Sequence, residues 1–277
     1  MNRRIWLYVV WFGALLWLCY RPVLDNVTQQ WQSDEDMAHG IFVPFISGFI
    51  LWERREQLAG IPVEPGRLGW AILALGGLLA LTGTLGAEIF LQRVAMVTSL
   101  IGVVVAFCGP RLSRAMAFPL FLLFFMLPLP GVLYKQITFP LQLLASRLAE
   151  SMLEISGYLV MRQGNVLDLA GQQISVVEAC SGVRALFSLS FFSLAYGYLF
   201  SPAGWQRWLL FAATIPVAIF VNAFRVYLTG VLGEINIEYA QGFYHSLSGL
   251  LVLALALLML IGVHLFLTRI SGHAAAR

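Results

Sequence analysis

The chain alternates between long apolar runs and short polar breaks. A helix that crosses a bilayer needs about 20 mostly apolar residues. Eight runs are candidates: 5–20, 38–52, 68–86, 94–108, 115–133, 181–200, 208–229 and 247–268. The second and fourth are short. Between the fifth and the sixth lies a stretch of mixed polarity, 134–180, which reads in two parts. Over Lys135–Tyr158 apolar residues recur at helical spacing (Leu141, Leu144, Leu148, Met152, Ile155), with Arg147, Glu150 and Glu154 between them. That pattern predicts an amphipathic helix lying on a membrane surface. Short β-rich pieces follow, separated by Gly, Asn and Gln, and predict a strand-turn-strand unit. The unit feeds straight into Cys180.

The expected fold class is therefore an all-α integral membrane protein. It has about eight transmembrane helices, with an outward amphipathic-helix and β-hairpin-like segment before span six. Residues 1–277 read as one multi-pass domain, with 134–180 as an outward surface segment within it. The lipid bilayer is its first partner.

Composition agrees. Of 277 residues, 60% are hydrophobic and 11% charged, against roughly 45–50% and 25% in soluble domains. Three cysteines (Cys19, Cys108, Cys180) build no disulfide framework. Asn2-Arg3-Arg4 ahead of an apolar run looks like a signal peptide, but no small-x-small cleavage site follows, so an uncleaved first span is expected.

Net charge is +3, from 17 basic and 14 acidic residues. The basic residues are scattered singly, which is no footprint for nucleic acid. They do carry orientation. With the N-terminus inside, the inner segments hold Arg3, Arg4, Arg54, Arg55, Arg67, Arg111, Arg114, Arg207, Arg269 and Arg277, whereas the short outer segments hold Arg21 and Arg93. The bias predicts both termini in the cytoplasm.

Ionisable groups in or at the mouth of spans are expensive and read as functional by default. They are Glu178, Cys180 and Arg184 at the head of span six, Asn222 and Arg225 near the outer end of span seven, His245 before span eight, and His39 before span two. The expected topology places Cys180, Arg184, Arg225 and His245 near one membrane face. A thiol, an imidazole and a guanidinium together suit nucleophilic catalysis. A helix N-terminus and nearby cations favour thiolate at Cys180. Arg184 follows four residues on, on the same helix face.

Other readings stand beside this one. Cys19 and Cys108 read as apolar fillers. Arg225 also reads as a snorkelling anchor or as an ion-pair partner of Glu234 or Glu238. His245 also fits an ordinary interfacial histidine, and His39 an anchor for span two. No HExxH, GxSxG or phosphate-binding glycine loop is present. The scattered Cys and His make no metal site, so neither cofactor nor metal is expected.

Val177-Glu178-Ala179-Cys180-Ser181-Gly182-Val183-Arg184-Ala185-Leu186 resembles the signature of the exosortase/archaeosortase family. Asn222-Ala223-Phe224-Arg225-Val226 and His245-Ser246-Leu247-Ser248-Gly249 resemble its second and third motifs, and Asp36-Met37-Ala38-His39-Gly40 a weaker N-terminal feature. The resemblance implies a membrane cysteine protease or transpeptidase with a catalytic set of Cys180, Arg225 and His245. Arg184, Glu178, Asn222 and His39 would support it. The implied substrates are exported proteins ending in a short motif (Pro-Glu-Pro in bacteria), a membrane helix and a basic tail. They would be cleaved at the outer face of the bacterial inner membrane through a thioacyl-enzyme, resolved by water or by an unidentified acceptor amine. Such systems often accompany exopolysaccharide production. The rival reading is a non-enzymatic transporter or assembly subunit of exopolysaccharide export. A further rival is an acyltransferase using His39. A transport path is disfavoured because the polar residues cluster at one face and spans three to five are almost free of charge.

Overall fold

A computed structural model describes residues 3–176, 182–200, 204–236 and 242–275. The chain divides into two compact units, Met1–Pro130 and Gly131–Arg277.

The first unit is helical. It comprises α1 (Arg3–Ser33), a 3-10 turn (Glu35–Ile41), α2 (Phe42–Glu53), α3 (Arg55–Ala59), α4 (Arg67–Leu85), α5 (Ile89–Ala115), α6 (Ala117–Leu122) and a second 3-10 turn to Met126. Helices α4 and α5 form a close pair, and their sequences say why. Gly69, Gly76 and Gly83 recur every seven residues and are the buried positions of α4. A Cβ at Gly69 would run into the backbone of Ala106, and one at Gly76 into Ser99. Small residues let helix backbones approach where lipid supplies no hydrophobic drive. The leucines on the other side of α4 (Leu68, Leu75, Leu78, Leu81) are exposed, as a lipid-facing surface requires.

Among the described residues of this unit one arginine is buried. Arg93, in the first turns of α5, is 7% exposed. It donates to Asn26 Oδ1 and Gln30 Oε1 on α1, both at 2.6 Å, and to the Pro128 carbonyl at 3.3 Å. Tyr20 and Ser99 add a buried hydroxyl pair at 2.8 Å. Arg93 was expected in an outer connection. Instead it pins α1 and the 126–130 segment to α5.

The second unit comprises α7 (Gly131–Ile155), β1 (Val160–Gln163), β2 (Val166–Leu169), β3 (Gln173–Ser175), α8 (Gly182–Phe200), α9 (Gly204–Ile235) and α10 (Gly242–Ala275). The strands form an antiparallel sheet in the order β1-β2-β3. Val160 pairs with Leu169, and Leu167 with Ile174. Side chains alternate across a strand, so Val160, Leu167, Leu169, Ile174 and Val176 share one face. That face packs with Ala149 and Leu153 of α7 and Val226 of α9. Met161, Gln163 and Gln173 lie on the other face and are exposed. Deeper in the unit, Leu189 of α8, Val217 and Val221 of α9, and Val252 and Ala256 of α10 form a second apolar cluster.

The mostly helical architecture, the helix over 131–155 and the small sheet after it agree with the sequence reading. The number of spans is not confirmed. Four helical stretches are long and apolar enough to cross a bilayer: Arg67–Leu85, Ile89–Ala115, Gly204–Ile235 and Leu251–Ile270. Counting the interrupted pair Ala117–Met126 and Gly131–Ile155 as one span makes five. Among the described residues the count of eight is therefore not reached. The run 115–133 is no continuous helix, because Pro128 and Pro130 lack N–H groups and push their preceding residues out of helical geometry. Helix α2 has 12 residues, about 18 Å of rise, short of the roughly 30 Å hydrocarbon core.

Candidate functional site

Helix α9 is the rail on which the candidate site is built. It packs against α7, α8 and α10, and its end beyond Val221 presents different residues to different neighbours. An α-helix turns about 100° per residue. Taking Arg225 as the origin, Asn222 is rotated by about 60°, Gly233 by 80°, Val226 by 100°, Gly230 by 140°, Glu234 by 180° and Tyr227 by 200°.

The Arg225 side meets α10. Nη2 and Cζ of Arg225 stand 3.1 and 3.3 Å from where a Cβ on residue 249 would sit. Gly249 therefore opens the space that the guanidinium occupies. His245 precedes Gly249 by one turn and shares its helix face. The second and third motifs are thus adjacent in space, although twenty residues separate their charged members. Asn222 beside Arg225 is 5% exposed.

The side of α9 rotated by about 80–180° from Arg225 meets the sheet. Gln172 Nε2 donates to the Gly230 carbonyl at 2.8 Å. The Gly171 N–H donates to Glu234 Oε1 at 2.9 Å. A Cβ at Gly233 would run into the Gln172 amide. These contacts clasp the turn between β2 and β3 onto α9. At the other end of β3, Val176 and Val226 are both fully buried in one cluster. The clasp and the cluster fix β3 along α9, next to Arg225.

Cys180 and Glu178 lie outside the described residues, as do the side chains of Arg184 and His245. In sequence Cys180 follows Val176 by four residues. Two residues later α8 begins at Gly182. Arg184 falls in its first turn.

Glu234 is not the partner of Arg225 that one sequence reading considered. Nine residues put the two on opposite sides of α9, about 13.5 Å apart along the axis, and Glu234 accepts from Gly171 instead. Glu238 lies outside the described residues. His39 belongs to the first unit. It is 5% exposed and sits in the 3-10 turn Glu35–Ile41, just before α2. Its neighbour must be glycine, because a Cβ at Gly40 would run into the Trp31 indole, which donates to the Met126 carbonyl at 3.0 Å.

Two residues to which the sequence reading gave no role position this arrangement, Gln172 and Gly233, and Glu234 joins them through Gly171 rather than Arg225. The available signal was the Gly230-x-x-Gly233 spacing at the end of an apolar run, which marks a helix face that another element approaches closely.

A family model described as Transmembrane exosortase (Exosortase_EpsH) matches residues 31–262. No curated protein and no solved structure matches the chain. The matched region runs from the end of α1 to deep in α10 and takes in the whole α9 rail, and on that evidence the chain belongs to the transmembrane exosortase family.

Proposed function

We propose that the chain is a membrane-embedded cysteine peptidase and transpeptidase that removes the C-terminal sorting signal of exported proteins. The observation that carries this reading is the convergence on α9. Arg225 packs against Gly249, one turn from His245, while the strand leading to Cys180 is buried against Val226. Two distant motifs of a family known for peptide processing thus meet on one helix end, and the strand that precedes the third is buried against the same helix.

In this mechanism the Cys180 thiolate attacks the scissile carbonyl, forming an S–C bond. The carbonyl electron pair moves to oxygen. Arg225 stabilises that oxyanion, aided by Arg184. His245 donates a proton to the departing amine as the C–N bond breaks. Water or an acceptor amine then attacks the thioacyl carbon and returns the thiol. Asn222, Glu178 and His39 take supporting places. The substrate is an exported protein with a Pro-Glu-Pro-type motif, a membrane helix and a basic tail. A substrate held by its own C-terminal helix presents its cleavage site at the membrane surface. The enzyme accordingly sits in the bacterial inner membrane, with both termini cytoplasmic and the site facing outward.

The test is processing of a reporter carrying such a tail, in cells expressing wild type, Cys180→Ala, Cys19→Ala or Cys108→Ala. The expected result is loss in Cys180→Ala alone. Near-normal cleavage in Cys180→Ala would remove the nucleophile assignment. Reporter fusions at Gln163 and Ile237 should read the exterior, and an inward Gln163 would place the site on the wrong face.

A further inference from the structure

A peptide substrate needs a surface that reads its backbone, and the sheet offers one. Leu169 N–H donates to the Gln172 carbonyl, and Val176 N–H to the Asn165 carbonyl, both at 2.9 Å. Those pairs set the phase of the ladder between β2 and β3. In antiparallel pairing, alternate residues turn both backbone groups toward the partner strand, and the residues between turn theirs away. Gln172, Ile174 and Val176 therefore face β2. The N–H and C=O groups of Gln173 and Ser175 point outward from the sheet, and among the described residues no strand pairs with them.

The location of this edge is informative. Strand β1 sits over α7, tied by Arg162 to Glu150 at 2.6 Å and by Ser146 to the Gly164 carbonyl at 3.1 Å. Strand β3 sits over α9 through Gln172 and Ile174. Around α9 the order is α7 at Tyr227, which bonds Ser156 at 3.0 Å, then the sheet, then Asn222, then Arg225 facing α10. The outer edge of β3 thus lies on the side of the sheet away from α7, the side on which Arg225 stands. Five residues beyond Ser175 the chain reaches Cys180.

We propose that the β3 edge is the substrate dock. The extended segment just before the substrate's membrane helix adds as a fourth strand, pairing its backbone with Gln173 and Ser175. Its scissile bond is thereby led toward Cys180. Main-chain hydrogen bonds give such strand addition its affinity, and alternate side chains give it specificity. The inference rests on the peptidase reading above. Under that reading a Pro-Glu-Pro segment has a suitable backbone. When extended, the central residue turns its N–H and C=O to one side, and the two prolines, without N–H groups, lie along the other. Such a segment pairs with one edge and offers none in return.

Disulfide trapping tests this. The full chain carries Gln173→Cys as its sole cysteine, in a Cys19→Ala, Cys108→Ala, Cys180→Ala background. The reporter carries single cysteines scanned through the segment before its helix. Strand addition predicts cross-links at every second reporter position, whether or not the reporter is cleaved. Cross-links at all positions alike, or only between two copies of the chain, with a reporter that wild type cleaves, would overturn the dock and leave the peptidase reading standing. A reporter neither trapped nor cleaved would overturn both. In a second arm, Ser175→Pro removes one outward N–H and should raise KM about tenfold with the rate of Cys180 alkylation unchanged. Equal KM in Ser175→Pro and wild type would also overturn the proposal.

Discussion

Arg225 and Gly249 occupy one space: the guanidinium fills the volume that a side chain on residue 249 would take, with Nη2 3.1 Å from the Cβ position. The glycine is thus part of how the arginine is aimed. Gly249→Ala requires a shift of a few tenths of an ångström, and Gly249→Val a larger one. The expected result is a graded loss of processing, with the valine variant approaching Arg225→Lys. That lysine variant keeps charge but loses the planar fork, and should lose on the order of 10²-fold in rate, as removal of an oxyanion donor does. Gly262→Val, at a position with open space around it, is the control and should process normally. Equal rates for all four glycine and arginine variants would separate Arg225 from the chemistry.

His245 is expected to protonate the leaving amine. His245→Ala should then lose turnover yet keep alkylation of Cys180 by a small membrane-permeant reagent, since a helix N-terminus and arginines support the thiolate without it. Mass spectrometry of the Cys180 peptide measures the alkylation. Wild-type turnover in His245→Ala would refute the role and direct attention to His39.

The clasp on α9 should behave as one unit. Gln172→Ala removes the donor to Gly230, and Gly233→Ala displaces the same amide, so each should cost about 1 kcal/mol and the double variant little more than either single one. Glu234→Gln keeps an acceptor for the Gly171 N–H and should retain most activity, whereas Glu234→Ala should not. Additive effects in the double variant would show that Gln172 and Gly233 act separately. The readouts are thermal stability in detergent and turnover of the reporter.

Arg93 should matter for stability and not for chemistry. Arg93→Ala leaves Asn26, Gln30 and the Pro128 carbonyl without their donor, at about 2–3 kcal/mol, or a Tm lower by roughly 5–10 °C. Arg21→Ala breaks the 3.9 Å pair with Asp25, whose side chains are 63% and 74% exposed, and a surface contact with the Trp17 ring, and should leave Tm nearly unchanged. Equal Tm values for the two variants would contradict the pinning role.

Much of this protein is legible along the chain. Run length and apolarity mark a lipid environment and place α4 within one residue at each end, because hydropathy reports the solvent that each stretch of backbone must face. Short β-rich pieces separated by Gly, Asn and Gln predict a small strand unit, and the Gly69, Gly76, Gly83 stripe already contains the close α4–α5 contact. The motifs around Cys180, Arg225 and His245 single out one family. Tertiary structure decides the rest. It shows that 115–133 is broken at prolines and that Arg93 is buried. It sets Arg225 against Gly249 and Gln172 against Gly230, 58 residues away in sequence. Such pairings depend on how helix faces rotate and stack against one another. One-dimensional patterning states which residues avoid water, and only packing states which of them meet.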